Sequence, residues 1–264
     1  MNPVTKQFES VWSREPRQPK SSGLHRDQIV RAAIEILDTE GMEALSMRKL
    51  GARLAAGATS LYWYVATKDE LLELVLDEFW GMVRVPEPER NSWQEVSTAF
   101  AYSMRETMLN HPWVATLLGR LPSIGPNSLR LTDRLRRTFV RAGFEGNDVY
   151  LATGTLFSFV LGQILPLIAW KNAYGDDNVD TSNVMTVLED LGADYPEMIH
   201  DYRHTVPQDL DVARAVAFDF GLISVLDGLE VRLRGGANID TPIDSGDSGM
   251  RGRSVPRGVV GEDL

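Results

Sequence analysis

The chain has 264 residues, 43% hydrophobic and 24% charged, with no cysteine. That length can bury one sizeable core or two small ones on a shared framework, and the lack of thiols removes disulfides and thiolate metal sites and fits a reducing, cytoplasmic setting. Residues 1–68 carry 10 Lys and Arg against 7 Asp and Glu, a balance of +3, whereas 69–264 carry 17 against 30, a balance of −13. A mildly basic head on an acidic body is therefore expected, and only the head suits a polyanionic partner.

Residues 1–21 show no periodicity and read as a flexible arm; Arg14, Arg17 and Lys20 lie on it, as part of an untethered tail or within reach of a DNA backbone. No apolar run of the signal-peptide kind occurs there. Ile29, Ala33, Ile34 and Leu37 recur at helical spacing, and Gly41 stops that helix. Ser46 opens a second short helix with Met47, Leu50 and Leu54 on one face. After Ala55-Ala56-Gly57 a third runs from Ala58 to Tyr64. Thr67-Lys68-Asp69-Glu70 is a capping-box pattern that opens a fourth, striped by Leu71, Leu72, Val75, Leu76 and Phe79.

Pro86-Glu87-Pro88 breaks the chain, and Ser92-Trp93-Gln94-Glu95 is a second capping box, opening a helix to about Asn110. Leu129–Arg141 reads as an amphipathic helix closed by Gly143. Asn147–Trp170 reads as a long, mostly apolar helix of the interior, short of the about 20 unbroken apolar residues of a membrane span. Residues 172–182 read as a loop, 183–203 as holding one short helix, and Asp209–Leu233 as a last long helix. From Gly235 onward, seven Gly and two Pro without periodicity indicate a disordered tail. No alternating strand pattern occurs. The expected fold is all-α: an arm (1–21), a three-helix DNA-binding head with a helix-turn-helix (22–83), a helical ligand-binding and dimerisation body (84–234) and a tail (235–264).

In a helix-turn-helix the second helix of the motif enters the major groove. Here that helix is 58–64. Leu61 points inward, while Thr59, Ser60, Tyr62, Trp63 and Tyr64 surround the outward face. Hydroxyls donate to phosphates, and short or aromatic side chains pack on thymine methyls. The competing reading of such a cluster is buried core.

The run Arg48-Lys49-Leu50-Gly51-Ala52-Arg53-Leu54, followed by Thr59-Ser60-Leu61-Tyr62-Trp63-Tyr64-Val65-Ala66-Thr67-Lys68-Asp69-Glu70-Leu71-Leu72, resembles the DNA-binding head of the tetracycline-repressor (TetR) family. The likeness covers about residues 24–80. More weakly, Ser92-Trp93-Gln94-Glu95, Phe220-Gly221-Leu222 and Asp227-Gly228-Leu229-Glu230 resemble the body of the tetracycline-repressor subgroup. The resemblance implies a transcriptional regulator, a repressor or alternatively an activator, that binds a palindromic operator as a homodimer and answers to a small effector. It implies DNA contacts at Ser46, Arg48, Ala58, Thr59, Ser60, Tyr62, Trp63, Tyr64 and Lys68. Arg48 would fork onto a guanine, the aromatics would pack on the DNA backbone, and Lys68 would hold a phosphate. A solvated surface arginine is the competing reading of Arg48. The family's Gly-Val turn is Ala55-Ala56 here, which leaves the helix boundary open.

The last helix is apolar almost all round and needs cover on two sides, one from its own core and one from a second copy. Gly154, Gly162, Gly221 and Gly228 would allow close approach, and Leu222 and Leu229 are the expected seam positions. The resemblance implies the same pairing, a four-helix bundle at the dimer interface. The effector site is expected between helices of the body, lined by Met82, Phe100, Met104, Leu117, Phe157, Pro166 and Trp170, each with plain core as the competing reading. Tetracycline repressors hold their drug as a magnesium chelate through a histidine and a glutamate. The positions corresponding by resemblance are Leu117 and Pro166, with Phe100 in place of a drug-contacting asparagine. Neither Leu nor Pro offers a side-chain ligand, so a hydrophobic effector bound without metal or cofactor is expected. Two rivals remain: an enzyme built on His200 and His204 at i, i+4 spacing, and an interaction protein without DNA binding. No phosphate-binding glycine loop, nucleophile elbow or metalloprotease motif occurs, so no catalytic residue is assigned.

Overall fold

The computed structural model describes residues 10–13, 24–175, 181–205 and 209–235. These form α1 (Arg26–Glu40), α2 (Met47–Arg53), α3 (Ala58–Leu61), α4 (Lys68–Met82), α5 (Trp93–Asn110), α6 (Pro126–Ala142), α7 (Asp148–Tyr174), α8 (Thr181–Leu191), α9 (Pro196–Thr205) and α10 (Leu210–Gly235), with 3-10 turns at Val11–Ser13, Met42–Ala44 and Pro112–Thr116. No strand occurs among the described residues, and the all-α expectation holds.

Helix starts follow from capping chemistry. Thr67 Oγ1 accepts the Glu70 N–H at 3.0 Å to open α4. At α5, Ser92 Oγ accepts the Glu95 N–H at 3.2 Å, and the Glu95 carboxylate accepts the Ser92 N–H at 2.7 Å. That backbone donation, then the Ser92 hydroxyl, holds the Glu95 carboxyl below its ordinary range. The cap residue of α6 is Gly125, which has no side chain to offer. Asp77 of α4 supplies the missing acceptor, taking the Asn127 and Ser128 N–H groups at 3.1 and 3.0 Å. Any Cβ at position 125 would overlap that carboxylate.

The helix α4 belongs to both halves. Glu70 through Asp77 are all buried, as are Phe79 and Trp80. A helix without an open face needs cover on every side. Here α1 covers it from the head and α6 from the body, and the turn Val11–Ser13 lies along it as well. Full burial of Phe79 alone contributes about 1.5–3 kcal/mol.

In the body, α5, α6, α7 and α10 pack around Phe100, Met104, Phe139, Leu156, Val160 and Phe218. The buried stripe of α7 is Val149, Ala152, Leu156, Val160, Ile164 and Ile168, a spacing of three and four that leaves the opposite face open.

Several expectations need correction. The third helix is one turn, ending at Leu61, because Tyr62, Trp63 and Tyr64 form a turn. Part of the expected arm is docked: Ser10 and Val11 are buried. Two helices, α8 and α9, fill the stretch where one was expected. The apolar helix continues past Trp170 to Tyr174 and is, by length and composition, long enough to cross a membrane; its buried stripe instead packs on α5, α6 and α10. On α10, Leu222 and Leu229 are 3% and 6% exposed and face the chain's own core, so they are not seam positions. Gly221 likewise closes the packing within the chain, since a Cβ there would meet the Phe159 ring at 2.5 Å. The expected tail beyond Gly235 lies outside the described residues.

Candidate nucleic-acid interface and ligand cavity

Two short helices, α2 and α3, meet at a close turn. A Cβ on Gly51 would stand 2.7 Å from the Ala56 carbonyl oxygen, so only glycine lets the helices approach this far. Ala55 makes the turn with φ +50°, the left-handed conformation that glycine adopts without penalty. Leu61 is fully buried beneath it. Around this anchor Arg48, Thr59, Ser60, Tyr62, Trp63 and Lys68 are exposed, while Ala58 and Tyr64 are half-buried. Tyr62 and Trp63 are 45% and 41% exposed, which separates them from core aromatics. Ser46 is exposed but spends its hydroxyl on capping α2, accepting the Lys49 N–H at 3.2 Å.

The cations of the head divide into two groups. Lys49 pairs with Glu40, and Arg53 pairs with Glu35 at 2.9 Å, both acids lying on α1. Arg48 and Lys68 have no carboxylate partner among the described residues. Both are exposed, and exposed cations of this kind can pair with phosphate or base edges.

A polar joint ties this head to the body. Asp38, near the end of α1, accepts the Trp113 indole N–H at 2.6 Å and lies 2.7 Å from His111 Nδ1. Trp113 is buried and packs edge-on against Phe79 of α4, with ring centroids 6.2 Å apart. One indole thus touches both head helices that face the body.

Within the body, a cavity of about 530 Å³ opens between α4, α5, α6 and α7. Its aromatic wall is Trp80, Phe100 and Phe157; Phe100 and Phe157 stack at 6.5 Å, and Trp80 lies 5.8 Å from Phe157. Polar atoms come from Ser123, Ser128, Thr132, Tyr150 and Thr153, and no charged or imidazole side chain among the described residues lines it. The Trp80 indole N–H donates to Ser123 Oγ at 3.1 Å, and Ser128 donates to the Ser123 carbonyl at 2.8 Å. Such a space suits a flat, uncharged molecule bearing a few oxygens.

Of the sequence-expected lining residues, Phe100 and Phe157 stand in the cavity wall. Met104 and Leu117 are fully buried outside it, and Met82 is half-buried. Pro166 is exposed within α7, and Trp170 packs at a tilt on Tyr174 with ring centroids 4.5 Å apart. Sequence reasoning missed Trp80, Leu118, Ser123, Ser128, Leu131, Thr132 and Tyr150. Trp80 carried a usable signal, an indole near the end of a strongly apolar helix, since a buried Trp needs a partner for its N–H. The His200 and His204 rings stack at 4.2 Å, and His204 Nδ1 lies 2.8 Å from the His200 carbonyl oxygen, which occupies one ring nitrogen.

Residues 29–75 match the family described as bacterial regulatory proteins, tetR family, and residues 85–233 match the tetracyclin repressor-like C-terminal domain. An HTH-type transcriptional regulator of Saccharopolyspora erythraea is 38% identical over 194 residues, covering 73% of this chain and 81% of that protein. The HTH-type transcriptional repressor DrrR1 of Streptomyces coeruleorubidus is 29% identical over 243 residues, covering 86% of each. Among solved structures, ActR of Streptomyces coelicolor in complex with actinorhodin aligns with a TM-score of 0.68 and 30% identity, over 81% of this chain and 99% of that one. From the helix-turn-helix surface, the helical body and these matches, the chain belongs to the TetR family of transcriptional regulators.

Proposed function

We propose that the chain is a repressor that binds a two-fold operator as a homodimer and is released by a flat, uncharged aromatic effector. The observation that carries this reading is the position of α4. Its first residue, Lys68, is exposed beside the helix-turn-helix, and Trp80, twelve positions on, forms part of the cavity wall. A ligand that shifts Trp80 acts on the same rigid element that sets the height of the recognition surface. Its differential affinity for the two states fixes the size of the response. Arg48 and the α3 hydroxyls Thr59 and Ser60 read bases, and Lys68 with Tyr62, Trp63 and Tyr64 holds the backbone.

The dimer would form on the faces that α7 and α10 leave open. Tyr150 and Leu151 on α7, and Val212, Val216, Phe220, Ile223 and Val231 on α10, are all at least 47% exposed. Nothing lies within 4 Å of a Cβ built at Gly154, Gly162 or Gly228, so a second copy can come close there. Two such heads would address half-sites about 34–36 Å apart. The ActR complexes with actinorhodin and (S)-DNPA support a small-molecule effector, and the hydroxyl-bearing lining, without carboxylate or imidazole groups among the described residues, supports binding without a metal.

The test uses operator DNA selected from a random pool by the full-length protein. Binding should weaken steeply as salt rises. A planar, uncharged probe, 1-hydroxyanthraquinone, should release the operator equally with and without EDTA. Failure to select any DNA, or release by tetracycline that requires magnesium, overturns the reading.

A further inference from the structure

The turn Val11–Ser13 precedes the DNA-binding head in sequence but packs on the helix that links head and body. Ser10 and Val11 are 4% and 5% exposed. The Ser10 hydroxyl donates to Glu73 Oε2 at 2.5 Å, and the Val11 N–H donates to the same oxygen at 3.1 Å. Glu73 is itself 6% exposed, on the second turn of α4. A carboxylate that deep is strongly disfavoured without donors, so its burial and the docking of Ser10–Val11 support one another. One turn further along α4, Asp77 caps the start of α6. Trp12 reaches that junction: a Cβ on Gly125 would lie 2.6 Å from Trp12 Cζ2. The segment therefore touches α4 and the α6 cap together. Directly after this cap, Ser128, Leu131, Thr132 and Leu135 of α6 line the cavity.

We propose that Ser10–Trp12 is an intramolecular latch that positions α4 against the start of α6, so that the seating of residues ahead of the head sets how far the head can swing. The latch is built to be releasable. It consists of three residues, and the buried Trp12 Nε1 has no hydrogen-bond partner among the described residues, which weakens the seat. The docking stands apart from the DNA-binding reading, whereas its consequence for operator choice rests on that reading.

The experiment uses the full-length protein with Trp12→Ala, Ser10→Ala and the conservative Trp12→Phe. Amide hydrogen exchange across residues 68–82 should be about 10-fold faster in both alanine variants and near wild type in Trp12→Phe. With operator selected by the wild-type protein, inserting one base pair between the half-sites should weaken wild-type binding steeply, and that penalty should shrink about five-fold in the alanine variants. Unchanged exchange overturns the latch, as does faster exchange with an unchanged spacing penalty. Ser10→Ala removes only a hydroxyl and keeps the test decisive where Trp12→Ala loses its fold. A wild-type protein that selects no DNA overturns the DNA-binding reading, and the exchange result then still decides the docking.

Discussion

Head and body solve opposite problems with the same kind of helix. The head places its candidate contacts within 23 consecutive positions, Ser46 to Lys68, on helices of one or two turns anchored by Leu50 and Leu61. The body draws its cavity from residues between Trp80 and Leu161, on four helices and a connecting loop. A site local in sequence depends on short-range geometry, whereas a site assembled across a bundle depends on which face each helix turns inward. The head can therefore be altered one residue at a time, while changes in the body propagate.

The largest test of this difference is the open face of α7 and α10. Phe220→Glu and Ile223→Glu should leave the protomer folded by circular dichroism. They should yield monomers in sedimentation at micromolar concentration and reduce operator affinity by at least about 100-fold, since a carboxylate trapped at an apolar seam is strongly disfavoured. Leu222→Glu, between the two in sequence, should instead unfold the body. Dimers in both outward variants would remove this face as the seam.

In the head, Arg48→Ala should cost about 1–3 kcal/mol and relax preference at one base per half-site. Lys68→Ala should weaken all sequences about equally. Binding to a set of single-base operator variants separates the two, and matching profiles would reject the roles. A smaller effect is expected at the turn. Ala55 holds a left-handed φ of +50°, so Ala55→Gly should stabilise the protein by about 0.5–1 kcal/mol, read as a rise in Tm. A fall in Tm would show that the turn carries no strain.

The smallest concerns pH in the body. Tyr102 of α5 donates to Asp219 of α10 at 2.5 Å, and this bond, followed by burial, raises the tyrosine pKa. A raised folded value means that the contribution is fully present below the unfolded pKa and is lost as pH climbs through the folded one. Stability of the wild type should thus fall more steeply on the alkaline side than that of Tyr102→Phe, as followed by thermal melts. Parallel curves would remove the bond from the account.

The sequence made the head legible because its cues are local: a cap at Ser46, a small-residue turn, an inward Leu61 and a cap at Thr67. Even there, the sequence places the end of the third helix at Tyr64, whereas the helix ends at Leu61, because nothing in the run Tyr62-Trp63-Tyr64 marks a stop. In the body, helix existence was legible and helix facing was not. Phe100 and Phe157 could be named from type alone, whereas Met82 and Trp170, chosen by the same logic, stand outside the cavity wall. The apolar run of α10 gave no periodicity from which to tell Leu222 from Phe220. The docked Ser10–Trp12 had no signal at its own position. The cue was elsewhere, in two acids four residues apart, Glu73 and Asp77, on a helix that otherwise reads as core.

The uneven cover of α7 also matters for how the chain is made. On a ribosome the helix is complete at Tyr174, but α10, against which it packs, begins only at Leu210. During that interval α7 is a long greasy segment, apolar enough to be mistaken for a membrane anchor, sheltered by α5, α6 and the Pro112–Thr116 turn but not by α10. The body thus matures last-helix-first in importance: a nascent chain cut before α10 would keep an intact head yet expose the stretch most prone to clump or to engage a chaperone.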